Sequence, residues 1–476
     1  MQEMTRTRSA PSACPFHRSK ASVRRRSAVK PNGCAAPGPR GLPFLGSLLD
    51  MRRDVLGLMM QSAEQYGDVS RHRLGPTEIF LISHPDHVKY VLKNHGIYDK
   101  NIMAMRMVSK VTGNSLLTSN GECWHRQRQL MQPAFSRPAE HAETMQRHAA
   151  AIAARWQRLA ENEDAVDVAS EMMRVTYSIA EKALFCSEAG EAPLQLEHAM
   201  AEVMRHTYCR IERGFAIPDF IPTTGNRAYK RALQELNRRV MDIIQQMRAR
   251  QDRPDCLLSN LMATGMSEVE LRNQVITLLV AGHETTANGL TWFWHSLAQH
   301  PAVQQRLHEE LDEHLDGRAP TLADLDKLEY CAATIKEVMR LFPPVWGFVR
   351  NVTEDDVIGG FRIPAGSQVV ISPYVLHRDP RFWENPETFD PERFLGARIR
   401  QVRPYAYIPY GGGPRVCIGQ RFAMQEALFI AATLAQNVAV RQVPGVAVEL
   451  DPGLMLRPKG GLHLQLRQRL LRQQTH

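Results

Sequence analysis

From Ser267 to the residue before Pro301 the sequence reads as one unbroken helix, and this stretch limits the possible folds more than any other. Ser267 followed three residues later by Glu270 is a capping box, which fixes the start. Pro301 fixes the end, because its ring cannot continue a helix. At 1.5 Å per residue the rod is about 50 Å long, enough to cross a whole domain. Val275, Leu278, Leu279, Leu290 and Trp294 make its middle apolar on most sides, so it is expected to be buried rather than to lie on a surface. A chain wrapped around such a helix is expected to be one large mixed α/β domain.

The rest of the chain fits that expectation. Two short β-rich runs, Val69–Leu74 and Glu78–Ser83, precede a helical region from Gly121 to about Leu315, broken at Pro133, Pro193, Pro218, Pro222 and Pro254. After Pro343 strand and turn character returns, with Val369–Ile371 as a strand. A last helix is expected just after Cys417, running toward Ala435. No repeat and no linker divides the 476 residues, 43% of which are hydrophobic. No run of eighteen apolar residues occurs, and there is no secretory signal core.

The formal charge of +9 is concentrated at one end. Residues 1–40 hold nine Lys/Arg against Glu3 alone, so the remainder carries about +1, which argues against nucleic-acid binding. Residues 1–36 are expected to be a disordered basic tail, whose composition also suits a transit peptide or a contact with anionic lipid. The folded body, 37–476, is expected to begin at the Pro- and Gly-rich Pro37–Pro43 stretch. Eight scattered cysteines form no CxxC pair, which gives no zinc-finger pattern and no disulfide framework. A reducing, intracellular setting is the matching expectation.

Three constellations carry chemistry. In Tyr410-Gly-Gly-Gly-Pro-Arg-Val-Cys-Ile-Gly419, Cys417 stands among four glycines whose backbone amides can turn inward and favour a thiolate. Taken alone, that site is open to metal-binding, nucleophilic or structural readings. Ala281-Gly-His-Glu-Thr-Thr286 places Gly282, Glu284 and Thr285 inside the long apolar helix. A loosening at Gly282, with Thr285 bonded to the freed carbonyl, would open a polar groove there; a plain kink with solvent-facing polar residues is the alternative. Glu337 and Arg340 lie one helical turn apart and can pair, as a surface pair or as something more. Trp124 and Arg128 share a helix face.

In this order the pieces resemble the cytochrome P-450 superfamily of haem-thiolate enzymes, from about Pro37 to Arg467, which implies a single large domain, mainly α with small β-sheets (α+β), around a long central buried helix. The specific element is Gly413-x-Arg415-x-Cys417-x-Gly419; Tyr410 stands where the family pattern has phenylalanine. The resemblance implies haem b as cofactor, with Cys417 as axial ligand of its iron. It implies Trp124, Arg128, Arg350 and Arg415 as partners of the propionates, and Glu284 and Thr285 as the proton relay. It makes Glu337, Arg340 and Arg393 a structural triad. The implied activity is monooxygenation of a hydrophobic small molecule, terpenoid, fatty acyl or polyketide-like, in secondary metabolism. Lys100–Thr118, Met204–Thr224, Val345–Phe348 and Gly453–Leu456 are candidate pocket walls. Only 59 residues follow Cys417, so electrons are expected from a separate ferredoxin or flavodoxin with its reductase, docked on the cysteine side. The chain is expected to be a cytoplasmic, bacterial-type monomer without a transmembrane segment. A haem-thiolate dehydratase, isomerase or peroxygenase, and a non-catalytic haem-binding sensor, are the competing readings. A cysteine-nucleophile hydrolase with a base such as His377 is the weakest.

Overall fold

A computed structural model describes residues 33–186, 193–213, 218, 220–251 and 256–469. The expectations for the basic tail fall outside it, apart from its last residues. There the chain is already packed: Cys34 exchanges backbone hydrogen bonds with Gly360 and Arg362, and Ala36 is buried. Ordered structure therefore starts upstream of Pro37.

The long helix is present as α7, and the elements that matter to the site are arranged around it. In chain order they are α1 (Met103–Thr112), α2 (Gly121–Phe135), α3 (Val168–Phe185), α4 (Pro193–Arg213), α5 (Thr224–Ala249), α6 (Leu257–Ala263), α7 (Glu268–Gln299), α8 (Glu329–Leu341) and α9 (Gln420–Asn437). Its capping box forms as read: Glu270 N–H donates to Ser267 Oγ (3.3 Å) and Ser267 N–H to Glu270 Oε2 (3.0 Å). Leu271, Val275, Ile276, Leu279, Leu290, Trp294 and Leu297 are all at most 2% exposed, so the helix lies in the core. It packs against α1, α3, α5, α8 and α9, which makes it the axis of the largest apolar cluster. The last expected helix is α9. Pro133 does not break α2, which runs two residues beyond it.

The β content is small and peripheral. One sheet has strand order β1-β2-β5-β4-β3, from β1 (Val69–Leu74), β2 (Thr77–Ile82), β3 (Tyr98–Asp99), β4 (Phe348–Val352) and β5 (Gln368–Ile371). The β1–β2 hairpin pairs Val69 with Ile82 and Leu74 with Thr77, as the two adjacent β-rich runs suggest. A three-stranded sheet joins Ala165–Asp167, His463–Gln468 and Val438–Gln442, and two short hairpins complete the set. The fold is thus mainly α with small sheets. No helix among the described residues is long and apolar enough to cross a membrane.

Candidate active site

The loop that carries Cys417 is held by its backbone. Cys417 N–H donates to Tyr410 C=O at 3.0 Å, closing the loop on itself. Gly413 has φ +67°, and a Cβ on it would stand 2.4 Å from Leu92 O, so only glycine lets the loop seat against the helix beneath. Arg128, from α2, donates to Val416 C=O at 2.8 Å. Burial pushes the Cys417 thiol up; the Gly419 amide and the nearby Arg128 guanidinium act in the opposite direction. The Gly419 amide is thus one member of the expected nest, and burial outweighs it. A cation bound to sulfur would reverse that balance, because a coordinating thiol is deprotonated. Cys417 keeps accessible surface although protein surrounds the thiol, so that surface opens onto an interior space.

Beside this loop lies a group of buried cations. Arg350 and Arg415 are both lowered to about 10, first by burial; for Arg350, repulsion from Arg415 adds to it, and Asp99 opposes the shift in both. Lys100 is lowered well below its ordinary value by burial and by those same two arginines. Lys100 Nζ donates to Leu117 C=O (2.9 Å), and an Arg415 Nη donates to Ser119 C=O (3.0 Å). Arg415 stacks on the buried Trp124 ring at 4.4 Å. Its Nε and other Nη are buried with no partner. Three cations thus crowd together, and two of them, Arg350 and Arg415, feel one carboxylate, Asp99. Arg128, on α2, is bonded instead to the cysteine loop at Val416.

Glu284 and Thr285 sit midway along α7. The expected loosening at Gly282 does not occur: α7 is continuous, and Gly282 faces Leu184 and Ala180 of α3 at ordinary contact distance. Thr285 Oγ1 donates to Ala281 C=O at 2.9 Å, one turn back, as the motif suggested. Burial raises the Glu284 carboxyl, opposed by Arg457. His283 points the other way, into the core, where burial lowers it to about 4. Ala281 is exposed on a helix whose neighbouring turns are buried, so an interior space borders α7 there as well.

Glu337 and Arg340 form no surface pair. Both are fully buried and joined by two hydrogen bonds of 2.7 Å. Arg340 also donates to the carbonyls of His377 (2.8 Å), Pro386 (2.6 Å) and Thr388 (3.1 Å). Arg393 Nε stands 3.4 Å from Glu337 Oε1, near enough to pair but not aligned for a hydrogen bond. Its Nη donates to Asn385 C=O at 2.9 Å. The triad therefore assembles.

The family model for cytochrome P450 matches residues 36–465. The chain belongs to that family. Among curated relatives, it is 38% identical to cyclooctatin synthase of Streptomyces melanosporofaciens, covering 88% of this chain and 92% of that protein. It is 34% identical to cyclooctat-9-en-7-ol 5-monooxygenase of the same organism (90% and 96%) and 32% identical to pentalenene oxygenase of Streptomyces avermitilis (87% and 93%). A solved cytochrome P450DA heme domain superposes with TM-score 0.84 at 26% identity, covering 92% of this chain and 99% of that one. The protein is a haem-dependent monooxygenase of this family, with haem b as cofactor.

The residues present fit that group. No set of three or more His, Cys, Asp or Glu among the described residues includes Cys417, so its sulfur suits a metal whose other ligands come from a macrocycle. The unpartnered Arg415 nitrogens and the cations around them match two carboxylates. Sequence reading missed two buried groups. Lys100 was read only as the edge of a pocket wall, and no local pattern marks it. Glu426, in α9, is fully buried, and burial raises it well above the usual range; its carboxyl lies by Thr286 without an aligned hydrogen bond. An acid inside an apolar helix was its available signal, as for Glu284. Tyr410 lines a pocket of about 160 Å³ with Lys336, Met339 and Tyr407, and burial and the nearby Cys417 raise its phenol.

Proposed function

We propose that this monooxygenase oxidises a cyclic terpenoid, with Cys417 as the residue that would hold the haem iron and electrons from a separate ferredoxin or flavodoxin. The observation that carries the reading of the site is the excess of buried positive charge at Lys100, Arg350 and Arg415, beside a single cysteine. The terpenoid assignment rests on the three Streptomyces relatives, matched over nearly their whole length.

Haem bound through Cys417 supplies the oxygen-activating chemistry. The chain's own residues do the rest. Arg350, Arg415 and Lys100 would neutralise the propionates, and Trp124 holds the Arg415 plane in place by stacking. Arg128 steadies the cysteine loop through Val416 and favours the anionic sulfur. Glu284, held toward its protonated form by burial, carries a proton on the interior face of α7, and Thr285 offers a hydroxyl one residue on. The apolar walls suit a hydrocarbon: Met103, Met105 and Met107 of α1 are half-buried, α1 packs on α7, and Leu456 N–H is tied to Pro344 C=O at 2.9 Å. Part of the Met204–Thr224 wall lies outside the described residues. An exposed Arg421, four residues past Cys417, is a contact for an acidic electron carrier.

The test is turnover of a panel of cyclic terpene hydrocarbons and alcohols under ¹⁸O₂ with a surrogate ferredoxin and reductase. The expected product carries one heavy oxygen. Product made equally well without the electron donor, or unlabelled product, overturns the reading.

A further inference from the structure

Two imidazoles and a carboxylate meet at one end of the β1–β2 hairpin, in residues that take no part in the haem site. Asp68 directly precedes β1, and His84 caps the helix Pro85–Lys93 that follows β2. Ser83 holds the two ends together: its N–H donates to Asp68 C=O at 3.0 Å, and its Oγ to Gly67 C=O at 3.0 Å. His87 lies one turn along the helix from His84, with ring centroids 5.2 Å apart. One donor atom each from Asp68, His84 and His87 lie within 4.8 Å of one another, and all three residues are half-buried. Among the described residues no other three His, Cys, Asp or Glu come together in this way.

The surroundings suit a cation. Asp68 Oδ1 accepts from Arg381 Nη1 at 2.6 Å, and Arg381 is itself held by Asp379 through Nη2 (2.6 Å) and Nε (3.0 Å). The Asp68 carboxylate is thereby oriented, while its Oδ2 accepts no hydrogen bond among the described residues. Asp86 pairs with Arg403 at 2.8 Å. Three carboxylates, Asp68, Asp86 and Asp379, thus face two guanidiniums, Arg381 and Arg403, which leaves one negative charge in excess. His87 is held toward its neutral form first by burial and then by His84, against Asp68 and Asp86. A neutral imidazole is the form that binds metal.

We propose that Asp68, His84 and His87 form a zinc site that fastens the β1–β2 hairpin to the helix Pro85–Lys93. Two nitrogens and one carboxylate oxygen are donors for a borderline divalent metal, whereas magnesium and calcium take oxygen. Zinc stands about 2.0–2.2 Å from such donors, which sets them roughly 3.3 Å apart in a tetrahedron. Donors already within 4.8 Å have to close by at most about 1.5 Å, a matter of side-chain rotation, and water fills the fourth position. The bond from Asp86 N–H to His84 Nδ1 (3.2 Å) is the contact that binding changes. Either the metal takes Nδ1, or it takes Nε2 and Nδ1–H turns to Asp86 Oδ2, 3.9 Å away. The helix so fastened is the one whose Leu92 carbonyl abuts Gly413 of the cysteine loop, so the ion steadies the support of that loop without touching it.

The test is equilibrium dialysis of the chelator-treated, full-length holoenzyme against zinc chloride, with a parallel arm in magnesium chloride and bound metal read by mass spectrometry. The wild type is expected to hold one zinc per chain and no magnesium. His87→Ala and Asp68→Asn should each weaken zinc binding by about 10-fold or more. Lys89→Ala, on an exposed position of the same helix, should bind zinc as the wild type does. Zinc at about 100 times its dissociation constant should raise the wild-type melting temperature by roughly 2–3 °C, and should not raise that of His87→Ala or Asp68→Asn. The reduced, carbon-monoxide-bound absorption band should be the same in all of them, showing that the variants fold and keep haem; either weakened variant alone decides the comparison. Zinc held as tightly by His87→Ala or Asp68→Asn as by the wild type overturns the proposal. Wild-type protein that takes up no zinc, or takes up magnesium equally well, does the same.

Discussion

Two buried charge clusters in this molecule look alike in composition and opposite in construction. Around Glu337, every donor of the Arg340 guanidinium is used: Nε and one Nη bind the carboxylate, and the remaining N–H groups reach His377, Pro386 and Thr388 carbonyls. Around Arg415, three cations repel one another and two of its nitrogens have no hydrogen-bond partner. Net charge alone does not separate them, since both carry more cations than anions. The placing of the donors does: around Glu337 the one nitrogen without an aligned bond, Arg393 Nε, still stands 3.4 Å from the carboxylate, whereas Arg415 Nε and one Nη have no hydrogen-bond partner. A buried cation held against an internal carboxylate belongs to the scaffold, whereas one with no internal partner for two of its nitrogens suits a ligand from outside the chain.

Breaking the first cluster should have the largest effect. Arg340→Leu strands Glu337 in the core, and loss of one partner of a buried pair costs about 3–5 kcal/mol. Urea melts should show that loss with haem and without it. Arg415→Leu should behave differently. It removes two unsatisfied buried nitrogens, so the apoprotein should change by no more than about 1 kcal/mol, in either direction. Haem retention should fall, by roughly 1.5–3 kcal/mol for a lost charge-assisted bond, about 10- to 100-fold in a transfer assay. Equal damage to the two apoproteins would remove the distinction.

The second cluster should also announce itself through pH. Lys100 has a folded-state value well below its unfolded one, through burial and then Arg350 and Arg415. Between those two values the unfolded chain binds the extra proton, so apoprotein stability should rise with pH until the ordinary lysine value near ~10.4 is reached. Bound propionates would restore the charged form and flatten that slope. Melting curves of apo- and holoprotein from neutral to alkaline pH check this, and parallel slopes would count against Lys100 as a propionate partner.

The first cluster was legible in the sequence because its members are local or sit in a recognisable motif. Glu337 and Arg340 are one helical turn apart, and Arg393 lies in a short Pro-Glu-Arg-Phe run. Cys417, the α7 motif and the Ser267 capping box were legible for the same reason. The second cluster was only half legible. Lys100, Arg350 and Arg415 are brought together by a strand end, a sheet strand and a loop separated by up to 315 residues, and no spacing rule sees that. What the sequence misjudged was local detail. A glycine in α7 suggested a loosened helix, but packing against Leu184 and Ala180 accommodates Gly282 in a continuous one.

Glu284 extends the comparison to a single side chain, with the smallest expected effect. Burial raises its carboxyl above the unfolded value, so here the folded state holds the extra proton. Its contribution is therefore present at low pH and lost as pH rises through the carboxylate range toward the folded value, the reverse of Lys100. Glu284→Gln should accordingly gain stability over wild type toward neutral pH. Arg457 is the one charge that opposes the shift, and its side chain is 51% exposed, so solvent screens it. Arg457→Leu should raise Glu284 further, by roughly 0.1–0.7 of a pH unit if the coupling is that of an exposed pair. Infrared difference spectra, with Glu284→Gln to assign the protonated-carboxyl band, give the measurement. A band that titrates at lower pH in Arg457→Leu would mean that Arg457 does not act on Glu284 across the interior space, and the proton-carrying role would have to be sought at Glu426 instead.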